Sequence, residues 1–212
     1  MTHTHSKLTV PIHGFADFFY PGEQYTHNLY NNDWFYVDEL DPTAWRAQLS
    51  GYPAGVAHVF LPEFVRGTKK PEDRERPELA ESLFAMCATS DVNCSAAYLE
   101  RGAVQQWWAV RERADIADAR FVGYWRDDCP VQALTERALA SAYLRESAAV
   151  IPVTNRLPGA ADVRVRMDMG ALGFGADATV TDLRTDETLS IEGGVVVARV
   201  GGRSYTYLVI ER

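Results

Sequence analysis

The chain changes character near residue 130. All five Trp and all five His lie at or before Trp125, and of the nine Phe, five Trp and ten Tyr only Tyr143, Phe174, Tyr205 and Tyr207 come later. The later part alternates Val, Thr and Arg and is broken by Gly pairs. Such a switch calls for two folding patterns. Period-two alternation gives half-buried strands, whereas apolar residues three and four apart give helices. The turn-like cluster Asp127-Asp128-Cys129-Pro130 marks the boundary, so residues 1–130 and 131–212 are read as separate domains.

The second part offers short strand candidates at Ala138 to Leu144, Ala149 to Thr154, Val163 to Met167, Ala178 to Leu183, Val195 to Val200 and Ser204 to Ile210. Leu157-Pro158-Gly159, Gly173-Phe174-Gly175, Gly193-Gly194 and Gly201-Gly202 supply turns between them. This is the pattern of an antiparallel β-sandwich, and it holds no catalytic constellation.

The first part mixes strands with helices. Leu8 to Ile12, Phe15 to Tyr20, Val56 to Leu61 and Ala119 to Trp125 read as strands. Asp41 is placed as an N-cap before Pro42 at the first helical position, and the helix runs to Leu49 ahead of Gly51. Pro77 to Ala88 and Tyr98 to Ala114 carry helical spacing, the latter with Trp107 and Trp108. The alternation predicts βα units around a parallel sheet. The fold class expected is therefore α/β plus all-β.

Within the first part, Phe15-Ala16-Asp17-Phe18-Phe19-Tyr20-Pro21-Gly22-Glu23-Gln24-Tyr25 is the segment most suggestive of function. An aromatic run ends at Pro-Gly and delivers a carboxylate. Rings stack on the apolar faces of sugars, and carboxylates bind hydroxyls or move protons. Glu23 and Glu63 each follow a strand, and in a barrel the site lies at the C-terminal strand ends; both are candidate catalytic carboxylates, or solvated turn acids. Asp17, His13, Tyr25, His58 and Trp125 are candidate substrate-binding residues. Asp17, flanked by Phe15, Ala16, Phe18 and Phe19, is expected to be buried against a partner. His13 and His58 equally read as core histidines. His3 and His5 have strand spacing but no third ligand, and no metal is expected. No Gly-rich phosphate loop or nucleophile elbow is present, and no cofactor is expected.

Composition narrows the partners. Net charge is −8, which argues against nucleic acid as a partner. There is no run of 18 apolar residues, so no membrane association is expected. The N-terminus lacks an apolar signal core, and a cytoplasmic protein is expected. Cys87, Cys94 and Cys129 have no metal-like spacing and are expected as free thiols.

These features together resemble family 123-like glycoside hydrolases. The resemblance rests on His5-Ser6, on Gly14 through Asp17 and Gly22 through Tyr25, on the helix around Trp45, on Gly55 through Phe64, on Phe121-Val122-Gly123-Tyr124-Trp125 and on the sandwich that follows. It implies the C-terminal portion of a (β/α)8 TIM-type barrel followed by the β-domain. It also implies a carbohydrate ligand, in that family a terminal N-acetyl-β-galactosaminide, whose acetamide acts as nucleophile beside an adjacent Asp-Glu pair. A whole barrel takes about 250 residues, so part of the barrel, and with it the pair, is expected outside this chain, supplied by a missing half or a second copy. Asp38-Glu39 is an adjacent acidic pair, read here as the approach to the helix at Asp41. The functional expectation is a truncated glycoside-hydrolase-like protein that acts on or binds a glycoside; whether the chain alone is an enzyme stays open. A non-catalytic carbohydrate-binding or interaction module, or an inactive fragment, is the alternative.

Overall fold

A computed structural model describes residues 3–5, 14–22, 25, 35–50, 56–62, 76–175 and 178–211. The chain divides into two compact units, Met1–Val104 and Gln105–Arg212.

Among its described residues, the first unit carries four parallel strands in sequential order: β1 (His3–His5), β2 (Phe18–Tyr20), β3 (Ala57–Phe60) and β4 (Asn93–Cys94). Helices α1 (Tyr36–Glu39) and α2 (Pro42–Leu49) lie between β2 and β3, and α3 (Pro77–Ala88) lies between β3 and β4. The α2 boundaries follow from its chemistry. Asp41 Oδ1 accepts from the backbone N–H groups of Thr43 and Ala44 at 2.8 and 2.9 Å, and Pro42 needs no N–H partner there. Helix α3 is apolar on most of its surface and is buried from Leu79 to Ala88 apart from half-buried Glu81. Phe60 is the centre of the aromatic core, with Trp45 at 4.8 Å and Tyr36 edge-on at 5.5 Å.

Helix α4 (Arg101–Ala114) begins later than its spacing suggests. Tyr98 adopts a left-handed φ of 64°, and the first turn is capped by Glu100, whose carboxylate accepts from Gly102 N–H at 2.7 Å and Ala103 N–H at 2.6 Å. Those two bonds hold the Glu100 carboxyl below its ordinary value.

The second unit is a sandwich with a helical cover. Its smaller sheet orders β13 (Val195–Val200), β10 (Ala161–Met167) and β6 (Val131–Ala133); its larger sheet runs β12 (Thr188–Leu189), β11 (Thr179–Asp182), β14 (Ser204–Glu211), β9 (Ala148–Asn155), β8 (Ala142–Leu144) and β5 (Arg120–Val122), with β7 (Ala138–Ala140) also on β9. A one-turn helix, α5 (Met169–Leu172), follows β10. Every pairing in these sheets is antiparallel. Val163, Val165, Val196 and Ala198 of the smaller sheet and Ile151, Val153, Leu208 and Ile210 of the larger one fill the core between the sheets. On the other face of β14, Trp107 of α4 packs edge-on to Tyr205 at 5.0 Å and lies 5.9 Å from Tyr207. Arg113 ties α4 to the turn after β11, donating to Leu183 O at 2.8 Å and pairing with Asp186.

Two further expectations change. Ala138 to Leu144 is two strands rather than one, because Pro152 of β9 faces the break and has no N–H to give; Ser141 donates instead to Pro152 O at 3.2 Å. The strand Arg120–Val122 does not extend the parallel sheet. It pairs antiparallel with β8, through Phe121 opposite Tyr143. The cluster 127–130 forms the turn between β5 and β6. The three cysteines are free thiols. Among the described residues, no helix is long and apolar enough to cross a membrane.

Asn155 is fully buried; its amide donates to the carbonyls of Gly159, Val200 and Gly201 and its Oδ1 accepts from Leu157 N–H. Asn155→Ala leaves those groups unsatisfied and is expected to cost about 2–3 kcal/mol in urea denaturation. The Glu100 cap makes a pH-dependent contribution. Because its folded value is lowered, the contribution is full above the ordinary carboxyl range and is lost as pH falls below about 4. Glu100→Ala is expected to cost about 0.5–1 kcal/mol at neutral pH and less at pH 2.5, compared by thermal melts at the two pH values.

Candidate functional site

Parallel βα sheets expose their chemistry at the C-terminal ends of the strands. In the first unit those ends are held close. Leu61 N–H, just past β3, donates to Pro21 O, just past β2, at 2.6 Å, and Ser95 N–H donates to Phe60 O at 2.8 Å. The pairing of β2 with β3 thus continues beyond both strands. Gly22 makes this approach possible. Its φ is +146°, and a Cβ there would overlap the Leu61 carbonyl, so only glycine fits.

The two candidate catalytic carboxylates, Glu23 and Glu63, lie outside the described residues, as does His13. Each carboxylate follows in sequence a segment joined by the Leu61–Pro21 bond: Glu23 comes next after Gly22, and Glu63 next after Pro62.

Tyr25 is half-buried and stacks on Phe60 at 5.9 Å, with Trp45 at 6.5 Å. Its hydroxyl donates to Gln48 Oε1 at 2.5 Å, so α2 fixes the ring of the residue two positions beyond Glu23. Sequence reasoning does not reach Gln48. The signal available was its position one turn beyond Trp45 on the same helix.

His58 is buried at 3% exposure, and its ring meets Phe19 edge-on at 5.1 Å. It alternates with half-buried Ala57 and Val59 and shares its face with Phe60. Asp17 is exposed rather than buried. The strand starts at Phe18, not at Phe15, so Asp17 sits in the bend before β2, at the opposite end from Glu23. Asp38 and Glu39 occupy a short helix of their own, α1, ahead of the Asp41 cap. Burial, and then the neighbouring Asp38, push the Glu39 carboxyl above its ordinary value.

Trp125, in the second unit, lies in the turn after β5. Its ring covers Gly123, where a side chain would collide with it, and packs against Tyr124 at 4.9 Å and Phe121 at 5.9 Å. The backbone of His3–His5 is strand β1, in register with Phe18–Tyr20. Among the described residues, no group of three or more His, Cys, Asp and Glu could hold a metal ion.

Residues 103–191 match the glycoside hydrolase 123 C-terminal domain. The matched segment opens in α4 and runs through most of the sandwich. No curated protein matches the chain. Solved glycosidases share the fold. The noncanonic maltogenic α-amylase AmyB from Thermotoga neapolitana aligns with a TM-score of 0.57 at 11% identity, over 99% of this chain and 54% of that one. The α-amylase from Geobacillus thermoleovorans, complexed with acarbose, aligns at 0.52 and 7% identity, over 92% and 53%. AmyP, in complex with maltose, aligns at 0.52 and 10% identity, over 74% and 41%. The chain therefore spans about half the length of these structures, and at such identities the likeness is one of fold.

Gly22→Ala tests the strand-end geometry. Its strained φ and the clash with Leu61 are expected to cost about 2 kcal/mol or more, read by chemical denaturation. Ala substitution at Gly159, which has open space around it, is expected to cost under about 1 kcal/mol.

Proposed function

We propose that the chain is the C-terminal part of a (β/α)-barrel glycosidase plan, in which the strand ends after β2 and β3 present Glu23 and Glu63 to a glycoside. The observation that carries the proposal is the match of residues 103–191 to the glycoside hydrolase 123 C-terminal domain. The sequential parallel order of β1 to β4 supports it, because a barrel adds strands in chain order whereas a doubly wound sheet reverses. The continued pairing at Leu61 and Pro21 joins the two segments that precede Glu23 and Glu63 in sequence.

The proposed ligand is a sugar ending in an N-acetylhexosamine. Glu23 and Glu63 bind its hydroxyls or transfer the proton to the leaving oxygen. Tyr25, anchored through Gln48 and Phe60, offers a ring to the same ligand. The sugar's own acetamide is the nucleophile, so neither carboxylate need attack carbon. One observation favours a second reading, a carbohydrate-binding module without turnover: the family match covers the C-terminal domain segment alone.

Hydrolysis of nitrophenyl N-acetyl-β-galactosaminide by the full chain distinguishes the two. The catalytic reading expects turnover that Glu23→Gln lowers by about 100-fold or more. Calorimetric binding of N-acetylgalactosamine with no turnover selects the binding module. The absence of both turnover and binding overturns the glycoside proposal.

A further inference from the structure

The hairpin Glu192-Gly193-Gly194-Val195 starts strand β13. Gly193 and Gly194 both have positive φ, 57° and 74°, as a tight two-residue turn requires. Glu192 and Val195 exchange backbone hydrogen bonds of 2.9 Å in both directions. The incoming segment then leaves, since Thr188–Leu189 belongs to the other sheet on β11. Beyond Val195, β13 is a sheet edge, with β10 on its other side alone.

The direction of its free groups follows from alternation. Val195 turns its N–H and C=O toward Glu192 and so away from β10, whereas Gly194 O accepts from Met167 N–H of β10's end at 2.7 Å. Antiparallel strands alternate these directions residue by residue. Val197 and Arg199 therefore also point their N–H and C=O outward, and no described strand pairs with them there.

A depression of about 440 Å³ lies at this place, lined by Arg164, Ser190, Glu192, Val195 and Val197. Val197, in the six-residue β13, is 48% exposed. Arg164 faces Val197 across the β10–β13 pair. The neighbouring arginines are engaged, Arg166 with Gln132 at 3.1 Å and Arg199 with Asp162 at 3.0 Å. Among the described residues, the side chains of Arg164, Ser190 and Glu192 make no hydrogen bond or ion pair.

We propose that this edge binds an extended peptide of a partner protein, added as a strand beside Val197 and Arg199 and carrying one acidic side chain that reaches Arg164. Main-chain hydrogen bonds to an open edge supply affinity, and alternate side chains supply selectivity. The residue opposite Val197 points to the same face as Val197 and Arg164, which places its carboxylate for a charge-assisted bond with the guanidinium. Glu192, at the Val195 end, repels a second acid there and limits the charge to that position. A sugar fits less well, because the depression presents two valines and no ring to stack on. The proposal does not depend on the glycoside reading of the first unit.

The test uses the full 212-residue chain, isotope-labelled, and an end-blocked pentapeptide Thr-Val-Glu-Val-Thr, with Thr-Val-Lys-Val-Thr as control. The expected result is saturable movement of the Val197 and Arg199 amide resonances with the acidic peptide, and roughly tenfold weaker binding for the basic peptide or for Arg164→Ala. Arg164 is exposed, so that variant retains the fold, checked by its unchanged spectrum elsewhere. Val197→Pro removes an edge donor and is expected to abolish binding. Equal binding of the two peptides, or no movement at Val197 and Arg199, overturns the proposal. So does movement of those resonances with galacturonate but not with peptide, which marks the depression as a sugar site.

Discussion

The pairing of β9 with β14 is the constraint on which the second unit rests. The two strands run antiparallel over eight residues each, Ala148–Asn155 against Ser204–Glu211, and all but Glu211 are buried. Burial on both faces is usual for parallel sheets under helices and unusual for an antiparallel sandwich. Here the two faces have different tenants. Ile151, Val153, Leu208 and Ile210 meet the smaller sheet, whereas Tyr205 and Tyr207 lie under Trp107. A one-residue slip of β14 would send Tyr205 and Tyr207 into a space shaped for valine and isoleucine. Register and helix docking are thus one decision.

That arrangement makes the polar groups near β14 demanding. Asp182 is buried at 2% exposure and accepts from Thr206 Oγ1 at 2.5 Å and from Arg184 N–H at 2.8 Å. Arg184 in turn lies over the Tyr205 ring at 4.6 Å and donates to Ser204 Oγ, Tyr205 O and Gln106 Oε1. A buried carboxylate of this kind is tolerable when its acceptors are filled. The same turn that fills them reaches α4 through Arg113. The network therefore locks the helix to the sheet as well as satisfying an acid.

Elements whose signals are local were legible in the sequence. The α2 start follows from Asp41 and Pro42, the α3 span from its apolar spacing, and β13 from alternation, all three as observed. What was not legible depends on partners distant in sequence. Nothing around Phe121 says that its strand pairs antiparallel with Tyr143, and nothing within Ala138 to Leu144 reveals Pro152 across the ladder. Asp17 misled for a related reason: aromatic neighbours imply burial only once the strand has begun, and it begins one residue later. For the candidate site, Pro21-Gly22 was legible as a strand end, but the contact that demands glycine, Leu61 O, lies 39 positions away.

Edges complete the physical picture. A sheet edge is a template for another strand, and proteins commonly keep edges short, bulged or charged. The larger sheet obeys this with the two-residue β12 and the three-residue β5, and the smaller sheet does so on one side with the three-residue β6. Strand β13 departs from the rule at six residues, with Val195 and Val197 on its solvent face. The hairpin at Glu192 covers only its first residue, and the Arg199–Asp162 pair lies on its face rather than along its rim. A fold that shortens its other sandwich edges and leaves this one long retains there a surface with hydrogen-bonding directionality. The unengaged charge of Arg164 beside it gives that surface a preference for acidic partners.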